Sequence, residues 1–198
     1  MSAALDELRW RNLRTILALA ALFMLPLAAS FWLYYGAGWH PAATTNHGEL
    51  IEPPRSLPAV TLPRADGTSV SGLFSKQWSL VYVADGGCDA QCRHALYFMR
   101  QTRIELNKDM TRVKRVFLVT ANCCNRAFLE REHPGLLVLD ASGPAAAPML
   151  AQFPQGDRAD SLFIVDPLGN LMMRYDTRRS PRGFLEDLKK LLSLSHIG

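Results

Sequence analysis

Apolar and polar positions follow two regimes along the chain. From Thr15 to Tyr35 the run is almost wholly apolar, and no Asp, Glu, Lys or Arg occurs between Arg14 and Glu49. About 20 residues at ~1.5 Å rise cross a ~30 Å hydrocarbon core, so residues 15–35 are expected to form one transmembrane helix. Pro26 is tolerable inside such a helix, and Phe31, Trp32, Tyr34, Tyr35 and Trp39 stand where an interfacial aromatic belt lies. Arg9, Arg11 and Arg14 flank the N-terminal side, whereas the other flank has no Lys or Arg until Arg55. The positive-inside bias then leaves residues 1–14 cytoplasmic and exports the rest. A cleaved signal peptide is the competing reading, with small residues at Leu27-Ala28-Ala29-Ser30, but the apolar run continues past that point. Export follows either way.

Beyond the span, residues 36–56 carry Pro, Ala, Thr and Gly without apolar periodicity and read as a tether, so the folded unit is expected over 57–198. There the pattern alternates between period 2 or continuous apolar runs and helical spacing. Val60 to Leu62, the turn Ala65-Asp66-Gly67 and Val70 predict a short hairpin; Trp78 to Ala84 and Val113 to Thr120 predict buried strands. Between these, Ala95, Leu96, Met99, Arg103 and Leu106 lie near helical spacing, which predicts a helix over 91–107 and a βαβ unit. A helix from Asn125 to Glu132, a strand at Leu136 to Leu139, a helix around Ala145 to Phe153 and a strand at Leu162 to Val165 follow. Pro167 to Asn170 turns the chain into Leu171 to Tyr175, and Ser180-Pro181 opens a last helix to about Leu194. The sum is a three-layer α/β domain with a mixed sheet.

Composition adds two exclusions. The chain has 198 residues with 48% hydrophobic content, enough for a real core, so disorder is not expected. A net charge of +4 spread along the chain, with no basic run interleaved with aromatics, gives no nucleic-acid signal. The candidate chemistry is sulfur. Cys88 and Cys92 follow a strand through Gly86-Gly87 at the start of a helix, where the dipole and free N–H groups favour a thiolate. Four residues is about one helical turn, so the two can converge on a metal or join as a disulfide. An inert structural disulfide is the bland alternative. Cys123 and Cys124 come just after the neighbouring strand and are expected at the same sheet edge. Adjacent cysteines seldom bond to each other, so they are read as partners of other thiols, resolving cysteines, a third soft ligand, or bystanders. His133, in a turn before a strand, is a solvated residue unless it converges with the thiols; His94 is a second candidate, expected to point away from Cys92 along the helix. His40, His47 and His196 fall in tether or tail.

The order of these features resembles the Sco/SenC family of membrane-anchored copper chaperones that serve cytochrome c oxidase assembly. The carriers are the Asp66-Gly67 turn, the strand 78–84, the C-x-x-x-C at Cys88 and Cys92, the strand ending Val119-Thr120, His133 ahead of Leu136 to Asp140, and the stretch Ser161 to Asn170. The resemblance implies a thioredoxin-like domain in which Cys88, Cys92 and His133 bind copper, delivered to an oxidase copper-bearing subunit, or a thiol-redox factor that reduces that subunit's cysteines beforehand. It also implies a single-pass inner-membrane protein with its domain in the periplasm or an equivalent oxidising space. The chain departs from the family pattern with Asp89 and Arg93 where members carry Pro, and with Ala121-Asn122-Cys123-Cys124 in place of an acidic segment. A chaperone is thus read before an enzyme. The alternatives are a tethered thiol–disulfide oxidoreductase using Cys88 and Cys92 as its redox pair, and a non-catalytic assembly scaffold. Against the oxidoreductase stand the three-residue spacing and the absence of Pro before Leu162.

Overall fold

The computed structural model describes residues 2–37, 45–64, 66–195 and 197; Trp39, His40, Ala65 and His196 lie outside them. It divides into two units, residues 1–45 and 46–198. The first is one helix, α1 (Ser2–Phe31), continued by a wider turn at Trp32–Gly36. Its stretch Arg9–Gly36 is long and apolar enough to cross a membrane. Pro26 sits inside without ending it, and the carbonyl of Pro26 accepts from Ser30 Oγ at 2.8 Å. At the end of the helix Phe31 stacks on Tyr35 with centroids 5.7 Å apart.

The second unit is built on a six-stranded mixed sheet. Its strands are β1 (Glu49–Ser56), β4 (Trp78–Ala84), β5 (Val113–Val119), β6 (Leu137–Asp140), β7 (Ser161–Val165) and β8 (Asn170–Asp176), in the order β1-β8-β7-β4-β5-β6. β4, β5 and β6 run parallel, and β7, β8 and β1 are antiparallel additions. A small ribbon, β2 (Leu62–Pro63) with β3 (Ser69–Val70), forms the expected hairpin. Its turn is held by Asp66, whose carboxylate accepts from the Thr68 amide and hydroxyl.

Period 2 along the strands divides the core. Leu80 and Tyr82 of β4, with Val113 and Phe117 of β5, pack under α2 (Ala90–Glu105) and α5 (Pro181–Leu194), which contribute Ala95, Leu96, Met99, Phe184, Leu188 and Leu192. Val81, Val83, Val116 and Leu118 point the other way, onto Leu57, Leu62, Phe74, Met149 and Phe153. Burial of such side chains contributes roughly 1.5–3 kcal/mol each, so both faces of the central strands stabilise the domain. A third helix, α3 (Arg126–Glu132), is capped by Asn125, whose side chain accepts from the Phe128 amide.

Two expectations are corrected. Residues 49–56, read as tether, form β1, and the compact unit begins at Asn46 rather than at residue 57. The Pro53-Pro54 pair that disguised it is allowed because β1 is an edge strand, and its register shifts between Leu50 and Arg55. The start of β1 is fastened to α5: buried Asp187 accepts from the amides of His47 and Gly48 at 2.8 and 2.7 Å. The helix expected over 145–153 is broken into a tight turn at Pro144–Ala146 and a short α4 (Ala147–Leu150). Pro148 has no N–H to bond back to residue 144.

Candidate functional site

The carboxyl edge of the parallel strands carries the chemistry. β4 ends at Ala84, and Asp85-Gly86-Gly87 leads to Cys88 and on to α2. Asp89 is the N-cap of α2, its carboxylate accepting from the Cys92 amide at 3.0 Å. Cys88 therefore stands before the helix, not within it, and its φ of 48° lies in the left-handed region that a side chain other than glycine's seldom adopts. That curl sets the two Cα atoms 5.0 Å apart, and the sulfurs are joined as a disulfide. The convergence expected from one helical turn is reached by a kinked turn ahead of the helix.

Both sulfurs are recessed. Cys88 and Cys92 are 3% and 2% exposed and line a cleft of about 480 Å³. Its other walls include Tyr82, Asp85, Thr120, Arg158 and Ala159. Tyr82, from the middle of β4, donates to the Ala159 carbonyl at 2.9 Å and so holds the segment before β7 over the cleft. Burial first, then the carboxylates of Asp89 and Asp160, push the Tyr82 phenol above its ordinary value, which keeps it a donor. Arg158 is tied back to the Leu150 and Phe153 carbonyls at 2.7 and 2.8 Å. None of Tyr82, Arg158 and Ala159 was singled out from the sequence. Tyr82 lies in an apolar run that reads as plain core, and the segment 157–160 has no motif that signals its position.

A second loop meets the first. After β5, Ala121 accepts from the Gly86 amide at 2.8 Å, and Asn122 Nδ2 donates to Asp85 Oδ2 at 2.7 Å. A Cβ on Gly86 would stand 2.7 Å from the Asn122 carbonyl oxygen and 2.9 Å from the Cys123 Cα, so glycine is required by the close approach of the two loops. Cys123 and Cys124 thus reach the same edge as expected. They are, however, joined to each other across a cis peptide bond rather than to another thiol. Adjacent cysteines bond when the loop presents both sulfurs to the same side, which the spacing alone does not reveal.

His133 is not brought to the cysteines. It is the C-cap of α3, ahead of β6 and so at the amino edge of the parallel strands, whereas Cys88 follows β4 at their carboxyl edge. There it is 3% exposed, packs edge-on against Phe128 at 5.3 Å, and its Nδ1 has no protein partner. Burial, then the guanidinium groups of Arg115 and Arg100, lower its pKa. His94 lies on α2 with Nε2 3.2 Å from the Thr177 carbonyl. Among the described residues no group of three His, Cys, Asp or Glu side chains is arranged to hold a metal ion. The cleft walls offer two sulfurs, those of Cys88 and Cys92, and the carboxylates of Asp85 and Asp89, already engaged by Gly87, Asn122 and Cys92. A three-ligand copper centre of Cys88, Cys92 and His133 does not fit this arrangement.

The family described as transmembrane-like, thioredoxin-like, C-terminal domain matches residues 78–195. The chain belongs to it. Family membership accords with the single apolar helix, a candidate membrane anchor, ahead of the domain. Among curated proteins none matches the sequence. Among solved structures, yeast Sco1 with copper bound is similar at a TM-score of 0.61 and 12% identity, over 70% of this chain and 92% of that one. Apo Sco1 from Thermus thermophilus is similar at 0.59 and 19%, over 76% and 99%. The thioredoxin domain of a thiol-disulfide oxidoreductase from Bacteroides vulgatus is similar at 0.51 and 19%, over 69% and 95%. At these identities the family's neighbours establish a shared thioredoxin-like fold, in line with the resemblance read from the sequence.

Proposed function

We propose that this family member is a membrane-tethered thiol–disulfide exchange factor whose working pair is Cys88 and Cys92. The observation that carries the reading is a cleft lined by a bonded cysteine pair at a helix N-terminus. A substrate thiolate entering the cleft attacks one sulfur of the Cys88–Cys92 disulfide and forms a mixed disulfide, releasing the other cysteine as a thiolate. A second substrate thiol then attacks the mixed disulfide, leaving the substrate oxidised and the pair as a dithiol; the reverse sequence reduces a substrate. The helix N-terminus favours the released thiolate, and the left-handed turn at Cys88 stores strain next to the bond that opens. The site acts on the exported side of the membrane, with Arg9, Arg11 and Arg14 keeping the N-terminus in the cytoplasm.

The likeness to copper-bound Sco proteins favours a second reading within the same site. Here copper is cargo: reduced Cys88 and Cys92 supply two thiolates, a third donor comes from the client, and the client is an oxidase subunit that receives copper. His133 would join only after release from the opposite edge. Purified full-length chain in detergent, equilibrated in glutathione buffers and read by differential alkylation and mass spectrometry, tests the first reading. The pair is expected to titrate as one two-electron couple, and Cys88→Ser or Cys92→Ser abolishes it. A pair that stays oxidised at every poise defeats the exchange reading. Titration of the reduced chain with Cu(I) against a competing chelator tests the second: one equivalent retained, and lost in either serine variant, supports cargo binding.

A further inference from the structure

We propose that Cys123–Cys124 is a second redox centre, an outer pair that passes electrons to the recessed Cys88–Cys92 pair. The inference rests on the exchange reading of Cys88–Cys92 and adds a partner to that site.

Three observations carry it. The first is contact: the two cysteine-bearing loops share the Gly86 to Ala121 and Asn122 to Asp85 hydrogen bonds, at 2.8 and 2.7 Å. Nothing larger than a hydrogen fits between Gly86 and the backbone of Cys123. The second is the contrast in access. Cys123 is exposed, whereas Cys88 and Cys92 are buried to within a few per cent at the floor of their cleft. A folded protein dithiol can meet the outer pair at the surface; only a small thiol or an extended segment enters the cleft. The third is continuity. Cys124 is partly buried and packs against the same core cluster that holds Cys88 and Cys92, so the outer pair leads inward.

The exchange balances with one external reductant, a protein dithiol of the same compartment. That dithiol reduces Cys123–Cys124 and leaves as a disulfide. One Cys123/Cys124 thiolate then attacks the Cys88–Cys92 disulfide, forming a sulfur–sulfur bond between the loops and releasing one inner cysteine as a thiolate, which takes up a proton. The remaining outer thiol loses its proton and attacks its neighbour's sulfur in the interloop bond. Cys123–Cys124 re-forms, and the inner pair is left as a dithiol: two electrons and two protons have moved inward. Each step requires only a thiolate and a disulfide within reach, because exchange is governed by thiolate fraction and access. The flanking left-handed residue Asn122, at φ 49°, marks where the outer loop turns toward the inner one.

The test uses the full chain in detergent and reduced thioredoxin as the protein dithiol. Samples quenched in time are alkylated and the redox state of each pair is read by mass spectrometry. In the wild type the outer pair is expected to reduce first, with the inner pair following after a lag. In Cys123→Ser/Cys124→Ser the reduction of the inner pair by thioredoxin slows by about tenfold or more, while reduction by dithiothreitol, small enough for the cleft, is little changed. Inner-pair reduction at wild-type rate in that variant, or an inner pair that reduces ahead of the outer one in the unaltered chain, overturns the relay and leaves the exchange reading standing. An inner pair that neither reductant opens defeats that reading as well. A trapping arm needs no kinetics: each double variant keeping one cysteine per loop is oxidised and digested. At least one of the four is expected to yield a linked peptide joining residues of the two loops, and none doing so overturns the proposal.

Discussion

The two ends of the parallel strands make an instructive pair. At the carboxyl edge, two loops touch through glycine, four sulfurs gather on them and on the first turn of α2, and the Cys88–Cys92 pair lines a cleft. At the amino edge, Trp78 Nε1, Arg115 Nη1 and His133 Nδ1 are buried without protein partners, and Arg100 and Arg103 add positive charge near Arg115. Burial first and then those two guanidiniums pull the Arg115 pKa down to about 10. Both ends perturb titratable groups, but only one combines perturbation with a reactive atom and a way in. Perturbed burial marks chemistry where access accompanies it. Elsewhere, a polar group left without a partner costs about 1–3 kcal/mol of stability.

Two glycines break or sharpen this contrast most strongly. Gly86→Ala drives a Cβ to within 2.7–2.9 Å of Asn122 and Cys123 backbone atoms and of Val119, so something rigid must shift. A loss of about 3 kcal/mol is expected, read by urea or thermal unfolding. At the other edge Gly135 has φ +75°, and its nearest neighbour is an Arg115 nitrogen at 4.0 Å. Gly135→Ala carries only the left-handed penalty of about 1–2 kcal/mol. If Gly86→Ala were no more harmful than Gly135→Ala, the tight contact between the cysteine loops would be refuted.

The next effect is one of pH. His133 is lowered from its ordinary 6.5 by burial and by Arg115 and Arg100, with Glu132 opposing them. The folded state therefore binds its proton less readily than the unfolded chain. The stability this confers is complete above about pH 6.5 and is lost as pH falls through the lower folded value. Asp176, held near about 2 by hydrogen bonding from Arg178, stays ionised across that window and leaves it clear. The wild-type Tm is expected to fall between about pH 7 and about pH 5, and the fall should shrink in His133→Phe, an effect smaller than that of Gly86→Ala. Exchange at Cys88–Cys92 should be unchanged in that variant. Loss of exchange would instead tie the two edges together.

How far the sequence revealed each edge follows from what each depends on. Strands β4 and β5 were legible because continuous apolar runs of that length are buried strands, and they fall at 78–84 and 113–119. Cys88, Cys92, Cys123 and Cys124 were legible as one sheet edge, because each pair follows a parallel strand. β1 was hidden by Pro53 and Pro54, which spoil alternation but not an edge. His133 stands in a turn before a parallel strand and so at the amino edge, whereas the cysteines follow parallel strands and lie at the carboxyl edge. The direction of the strand, readable from the βαβ pattern, already separates them. Tyr82, Arg158 and Ala159 required the antiparallel return of β7 beside β4, a pairing that no local pattern encodes.

The smallest effect tests the electrostatics of the open edge. Asp89 does two things at once: its oxygen caps the Cys92 amide, and its charge sits at the helix end where a thiolate would form. Asp89→Asn keeps an acceptor in the cap, so stability should change by less than about 0.5 kcal/mol. It removes a negative charge that opposes a thiolate, so the thiol pKa should drop relative to the wild type. Alkylation of the reduced chain by iodoacetamide near pH 7 should then run about twofold to threefold faster. Asp89→Ala separates the two roles, giving the same gain in rate with about 1 kcal/mol of lost stability. Rates unchanged in both variants would mean that the thiolate forms away from the carboxylate and that the helix end does not activate this pair. Faster alkylation in both, with stability lost in the alanine variant alone, places the reactive sulfur at the tip of α2.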